Sequence, residues 1–189
     1  MRLYEESIEN FKDDVIQNKI ADILSTNYFN YYGRNVSPSE KNSWNNSLNF
    51  VKNALDFSDL SENKIVVEHE LPYSSKRIDV LLFGKNNSGE DNVVLIELKQ
   101  WSNENIEDCD TEGNIMVNYG RFKKEQAHPS LQVEGYHYDL KDFMTVFEDK
   151  PVTELSSCAY CHNYSKIDGS VLYLPKFTKL VQKYPLFSK

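Results

Sequence analysis

The chain has 189 residues, which allows one domain with a sizeable core and is short for two. Apolar residues make up 40% and aromatics 13%, which excludes a disordered chain, and no run of ~18 apolar residues offers a membrane span. The formal net charge of −8 repels nucleic acid at long range, so such a partner would need a local basic patch or the help of another domain.

The opening MRLYEESIEN has no basic stretch leading into apolar residues, so export is not expected and the cytoplasm is. Ile8, Phe11, Val15, Ile20 and Ile23 recur at near-helical spacing and predict one amphipathic helix over 5–25. After the aromatic-rich NYFNYYGRN, Ser37 is placed to cap a second helix, with Pro38 at its first position and Glu40 at its third. Trp44, Leu48, Val51 and Leu55 mark that helix's inner face.

Residues 64–71 read as a strand ended by Pro72, Ser74 and Ser75, and strands over 77–83 and 93–99 flank the turn-forming GKNNSGED. These three predict an antiparallel meander. Residues 102–127 are polar and show no clear period, apart from a short strand at NIMVNY. Pro129 followed by Val133, Tyr136, Leu140, Phe143 and Phe147 predicts a helix over 129–147, SSCAYCHNY a further strand, and the end a Lys-rich tail. The expectation is an α/β domain over 1–189, with a central mixed sheet flanked by helices. Its parts are N-terminal helices (1–62), a sheet core with one further helix (63–175) and the tail (176–189).

Charges interrupt the two hairpin strands. In a strand, residues two apart share a face, so Val93, Leu95, Glu97 and Lys99 point one way, and Val94, Ile96 and Leu98 the other. A turn centred near residue 88 sets Asp79 opposite Glu97. Two carboxylates this close repel unless a cation or proton lies between them, and hard oxygen ligands suit Mg²⁺ or Mn²⁺. Lys99 could then orient or deprotonate a water, or stabilise charge on a phosphorane-like transition state. The plainer reading is a salt-bridged surface hairpin.

RIDVLL followed by VVLIELK resembles the PD-(D/E)XK nuclease superfamily, with Asp79, Glu97 and Lys99 at its D…E-x-K positions. QVEGY, from Gln132 to Tyr136, matches the Q-x-x-x-Y element of RecB-type nucleases, its two residues one helical turn apart. The wider pattern of SPSEKNSW, LPYSSKRID, ELKQW and HPSLQVEGY is similar to the amino-terminal domain of bacterial nuclease–helicase proteins. The literal Pro-Asp dipeptide is absent, since Ile78 precedes Asp79, and no Walker-type phosphate loop occurs.

The resemblance implies a restriction-endonuclease-like core and Mg²⁺-dependent (or Mn²⁺-dependent) hydrolysis of phosphodiester bonds in DNA, with a helicase domain or subunit as a further partner. Under it, Asp79 and Glu97 bind the metal and Lys99 positions the attacking water. Gln132 and Tyr136 support metal-bound waters or contact phosphate. Glu40 is a third metal ligand by analogy with nucleases that bring an acid from an early helix; otherwise it belongs to a capping box with Ser37. Lys76, Arg77 and Gln100 are the candidates for substrate contact, and Glu68 or Glu70 for an auxiliary ligand, although both suit the surface of an edge strand. Trp101 could stack on a base or act as a core lid, and Arg121, Lys123 and Lys124, or Lys176, Lys179 and Lys183, could meet phosphate. The competing reading is a non-catalytic module of the same fold that binds nucleic acid or a partner. CAYCH, from Cys158 to His162, fits a haem-attachment signature or part of a zinc site, with a buried strand as the simpler account. Cys109 completes three cysteines, too few for a disulfide framework.

Overall fold

A computed structural model of the chain describes residues 1–71, 74–147 and 153–189. The first half contains strand β1 (Arg2–Ser7), helices α1 (Ile8–Ile16), α2 (Ile20–Tyr32) and α3 (Pro38–Leu55), then strands β2 (Lys64–Glu70), β3 (Arg77–Lys85) and β4 (Asp91–Lys99). Three short strands, β5 (Ile106–Glu107), β6 (Asn114–Asn118) and β7 (Lys123–Ala127), form a small antiparallel sheet ahead of helix α4 (Pro129–Phe143). Strand β8 (Glu154–Cys161), helix α5 (Thr178–Lys183) and strand β9 (Leu186–Ser188) follow.

The main sheet runs β1-β2-β3-β4-β8-β9. Its first four strands are antiparallel neighbours, while β8 lies parallel to β4 and β9 parallel to β8, so the sheet is mixed. The β4–β8 connection carries both the small sheet and α4, as a parallel crossover must carry intervening structure. Alternating side chains divide the core into two layers. Ile65, Val67 and Val80 join Phe11, Leu24, Trp44 and Leu48 from α1–α3 on one face. Val66, Leu81, Val93 and Leu95 join Val133, Tyr136 and Leu140 of α4 on the other. Among the described residues, no helix is long and apolar enough to cross a membrane.

The helix from Pro38 to Leu55 forms as its sequence predicts, with Ser37 Oγ accepting from the Glu40 amide and Trp44, Leu48, Val51 and Leu55 buried. The meander also forms, and its turn is centred where the sequence places it, since Lys85 pairs with Asp91 and Val80 with Ile96.

Other expectations need correction. The apolar period over 5–25 belongs to three elements. β1 takes Leu3 and Tyr4 into the sheet, with Tyr4 opposite Val67, and Ser7 Oγ caps α1 through the Asn10 amide. Asn18, at φ 54, then separates α1 from α2; Asn tolerates this left-handed conformation better than most residues. With β1 alongside, β2 is not an edge strand. The tail expected over 176–189 instead contains α5 and β9, whose buried Leu186 pairs with Ala159. The polar stretch after residue 102 forms the small sheet. Helix α4 ends at Phe143, and a 3-10 turn covers Thr145–Phe147. Pro72, read as a strand terminator, lies outside the described residues.

Candidate active site

The inner half of the site is built by alternation along β4 and one turn of α4. Glu97 and Lys99 project toward α4, while Ile96 and Leu98 join the α1–α3 layer. Glu97 is only 3% exposed. Its Oε1 accepts from Lys99 Nζ at 2.6 Å and from Gln132 Nε2 at 2.6 Å. The same Gln132 nitrogen donates to the Tyr136 hydroxyl at 2.8 Å, so the one-turn pair on α4 meets the carboxylate as a unit. Lys99 Nζ also lies 5.2 Å from the Trp101 ring centroid. Among the described residues, Glu97 Oε2 is buried with no hydrogen-bond partner.

Asp79 enters from the neighbouring strand at a discontinuity. The β3–β4 ladder ends at Val80 and Ile96, and the Leu98 amide beyond it donates to Asp79 Oδ2 at 2.6 Å. The side-chain alternation slips here, with Ile78 in the α4 layer and Val80 in the α1–α3 layer. β2 slips at the same level, where Glu68 takes φ 56. The Asp79 carboxylate therefore sits where the strands part, between the two faces of the sheet.

The electrostatics record the crowding. Burial, then the charges of Glu97 and Glu68, push the Asp79 carboxyl well above the usual carboxylate range, against the help of Lys99 and the Leu98 amide. Burial works against the Lys99 charge, but Glu97 and Asp79 outweigh it and hold its pKa above the ordinary lysine value. The ammonium is thus a donor and fixed charge rather than a proton acceptor. Burial and Glu97 push the Tyr136 phenol up to about 12, so it stays protonated.

Next to Asp79 lies a cavity of about 310 Å³, lined in part by Glu40, Trp44, Ser47, Glu68 and Arg77. Trp44 Nε1 donates to Glu68 Oε1 at 2.7 Å, and Arg77 Nε donates to Glu68 Oε2 at 2.9 Å. Arg77 Nη2 donates to Glu40 Oε1, and the guanidinium stands 5.3 Å from the Tyr28 ring centroid. Burial pushes Glu68 up to about 7, with Arg77 and Trp44 pulling against it and Glu40 and Glu97 adding to it.

This arrangement revises several expected roles. Glu40 reaches the cavity but is neutralised by Arg77, so it is a clamp for that arginine and not a free metal ligand. Arg77, expected on phosphate, pairs through Nη2 and Nε with two carboxylates of its own chain, while its Nη1 has no hydrogen-bond partner among the described residues. Glu68, expected on an exposed edge, is 7% exposed and faces the cavity, while Glu70 accepts from the Tyr32 hydroxyl. Gln100, expected on substrate, donates through Nε2 to Ser43 O, Ser43 Oγ and Ser47 Oγ and ties the end of β4 to α3. Lys76 is exposed beside Ser75 on the cavity rim. The two cysteines of the Cys158–His162 signature do not converge. Cys158 and Cys161 are three apart on a strand and face opposite ways, and burial pushes their thiols up to about 11 and about 12.

Sequence reading misses the network around His162. Its Nε2 meets Ser47 Oγ at 3.1 Å, its ring stacks on Phe50, and its backbone amide donates to Lys99 O. Ser47 and His162 lie 115 residues apart, and no local pattern signals the contact.

No three His, Cys, Asp or Glu side chains are grouped to hold an ion among the described residues. The residues present still suit a hard divalent cation, which takes one or two carboxylates and completes its shell with waters and phosphate oxygens. The unpartnered Glu97 Oε2 and the charge-crowded Asp79 are the oxygen donors that such an ion would need. No protein-family model matches the chain, and no curated protein or solved structure matches it either.

Proposed function

We propose that this chain is a divalent-metal-dependent deoxyribonuclease of the PD-(D/E)XK type, with a restriction-endonuclease-like core. The observation that carries the reading is the set of Asp79, Glu97, Lys99, Gln132 and Tyr136, with Glu97 and Tyr136 buried and the others half-buried, brought together from β3, β4 and α4 with one Glu97 oxygen unpartnered among the described residues. Burying charges costs several kcal/mol per ion, and a surface salt bridge would not require the cost. The antiparallel hairpin that continues into a parallel crossover, with helices on both faces, accords with such a core.

Asp79 and Glu97 would hold Mg²⁺ or Mn²⁺, which when bound supplies Lewis-acid activation of water and phosphate. Lys99, kept protonated, orients the attacking water and offsets charge on the phosphoryl oxygens as the phosphorus–oxygen ester bond breaks. Gln132 fixes the Glu97 rotamer through Oε1, and its contact with Tyr136 keeps the amide in place. The Arg77, Glu68 and Glu40 cluster braces β3 immediately before Asp79.

The test is incubation of the purified chain with linear and circular DNA in Mg²⁺, in Mn²⁺ and in EDTA, beside a Glu97→Ala/Lys99→Ala variant. Metal-dependent cleavage that disappears in the variant is the expected result, and cutting of circles identifies an endonuclease. A folded chain that cleaves under no condition, or a variant that cleaves equally well, overturns the proposal.

A further inference from the structure

Beyond Lys99 the site opens into a second, larger groove of about 770 Å³ between the start of α3, the end of β4 and the small sheet. Its lining includes Asn42, Asn46, Lys99, Trp101, Asn118 and Tyr119. Among the described residues, none that lines it is acidic, although the chain as a whole carries a net charge of −8. No carboxylate of the lining therefore opposes a phosphate chain beside the proposed catalytic lysine.

The rim of this groove is the β6–β7 hairpin, whose tip is Tyr119-Gly120-Arg121-Phe122. Tyr119 and Phe122 are 46% and 59% exposed, and their rings stack on each other at 5.3 Å and 27°. Two large aromatics held in water and in mutual contact lack any structural role in the core. The hairpin that presents them is firmly built. Asn118 Oδ1 accepts from the Gly120 amide, Gly120 takes the φ of 81 that the turn needs, and Tyr119 N donates to Phe122 O. Asn105 Nδ2 donates to Asn118 O and ties the base of the tip to the segment after β4. Arg121 and Lys124 are exposed and have no ion pair among the described residues, and Lys124 shares a strand face with Gln126, which lines the groove. Lys123, by contrast, is neutralised by Glu107.

We infer that this groove binds single-stranded DNA, with bases stacking on the Tyr119–Phe122 platform and on Trp101, and the backbone led past Arg121 and Lys124 toward Lys99. This deepens the nuclease reading and rests on it for the strand's being substrate. Stacking needs an exposed base face, which duplex DNA keeps inside its own stack, so the platform selects unpaired strand. With two free cations along the path, the slope of log affinity against log salt is shallow, roughly −1 to −2.

Binding is measured in EDTA, where cleavage plays no part, by anisotropy of fluorescein-labelled oligo(dT) and of a duplex of equal length. The unmodified chain should bind the single strand more tightly than the duplex. Tyr119→Ala/Phe122→Ala should weaken single-strand binding by roughly tenfold or more, while Tyr119→Phe should retain it. Circular dichroism checks that the variants fold. Independently, oligo(dT) should quench Trp101 fluorescence in the unmodified chain, with the buried Trp44 as a constant background. Equal affinity for duplex, no binding, unquenched Trp101, or a folded double variant that binds as the parent does would each overturn the inference. Ring-dependent binding without metal-dependent cleavage would leave this inference standing and remove the nuclease reading. Glu97-dependent cleavage with binding indifferent to the rings would do the reverse.

Discussion

Glu97→Gln separates a metal site from a structural ion pair. In the chain without metal, the substitution has two opposing effects. Lys99 loses one of its two carboxylate neighbours, but Asp79 loses the charge that, after burial, contributes most to raising its pKa. A glutamine oxygen can still accept from Lys99 and Gln132, so the hydrogen bonds at Oε1 survive in neutral form. The net change in stability should stay within about 1 kcal/mol, well below the roughly 3–5 kcal/mol of a buried pair broken outright. The response to cation should differ far more. At about ten times its dissociation constant, a cation that binds only the folded chain adds about 1.4 kcal/mol. At roughly 2–4 °C per kcal/mol for a chain of this size, the parent should gain about 3–6 °C in thermal midpoint with Mg²⁺ or Mn²⁺. Glu97→Gln should gain none. Thermal unfolding followed by circular dichroism, in EDTA and in each cation, reads both quantities. A parent indifferent to cation, with a variant destabilised by several kcal/mol in EDTA, would show that Lys99 and Glu97 are a structural bridge and sink the metal reading.

Lys99→Ala should abolish cleavage yet keep the cation-induced rise in thermal midpoint; losing both together would remove its separate role. Ser47→Ala should cost about 1–3 kcal/mol in denaturant unfolding, because the Asn163 Oδ1 beside His162 Nδ1 can only accept, which leaves Nε2 to accept the Ser47 hydroxyl proton and, after the substitution, buried and unpartnered. A change below a few tenths of a kcal/mol would refute that assignment. His128, fully buried as the cap of α4, accepts from the Ser130 amide and meets Leu172 O, and burial pushes its pKa down to about 4. The unfolded chain binds this proton more readily, so stability present above pH ~6.5 should be lost as pH falls toward about 4, by ~3 kcal/mol at most. His128→Asn keeps a capping oxygen without the titration, and its stability should fall less across that window, at a pH-independent cost; an unchanged acid limb would assign the loss to other groups.

The parts of the fold written in local chemistry were legible. Ser37, Pro38 and Glu40 fix the start of α3, and the Asn-Gly-rich turn fixes the hairpin register, which brings Asp79 level with Glu97 by arithmetic. The one-turn spacing of Gln132 and Tyr136 likewise brings both to the same carboxylate. What stayed hidden depends on distant partners. The helical period over 5–25 gives no warning that Glu5, Glu6 and Ser7 pair with Val66, Ile65 and Lys64, because strand pairing is decided across roughly sixty residues rather than within a window. Leu186 reads as part of a polar tail until β8 is there to receive it. Arg77 looks like a free phosphate ligand because only the tertiary fold brings Glu40 and Glu68 to it. The small sheet is hidden for another reason: its strands are short and polar, and their period is too brief to stand out.

Glu68 sets a condition on any attempt to regularise this chain. A glutamate at φ 56 inside a strand occupies a conformation that costs of order 1–3 kcal/mol for a residue with a side chain, and it persists only where its surroundings compensate. Here the compensation is Trp44 and Arg77. Ordinary extended geometry at residue 68 would turn its carboxylate toward α4, strand Arg77 with half its partners, and restore the alternation that the slip at Asp79 interrupts. A substitution chosen to improve strand propensity there, such as Glu68→Val, would therefore favour a more regular sheet whose β3 and β4 no longer part, trading the cleft for conformational ease.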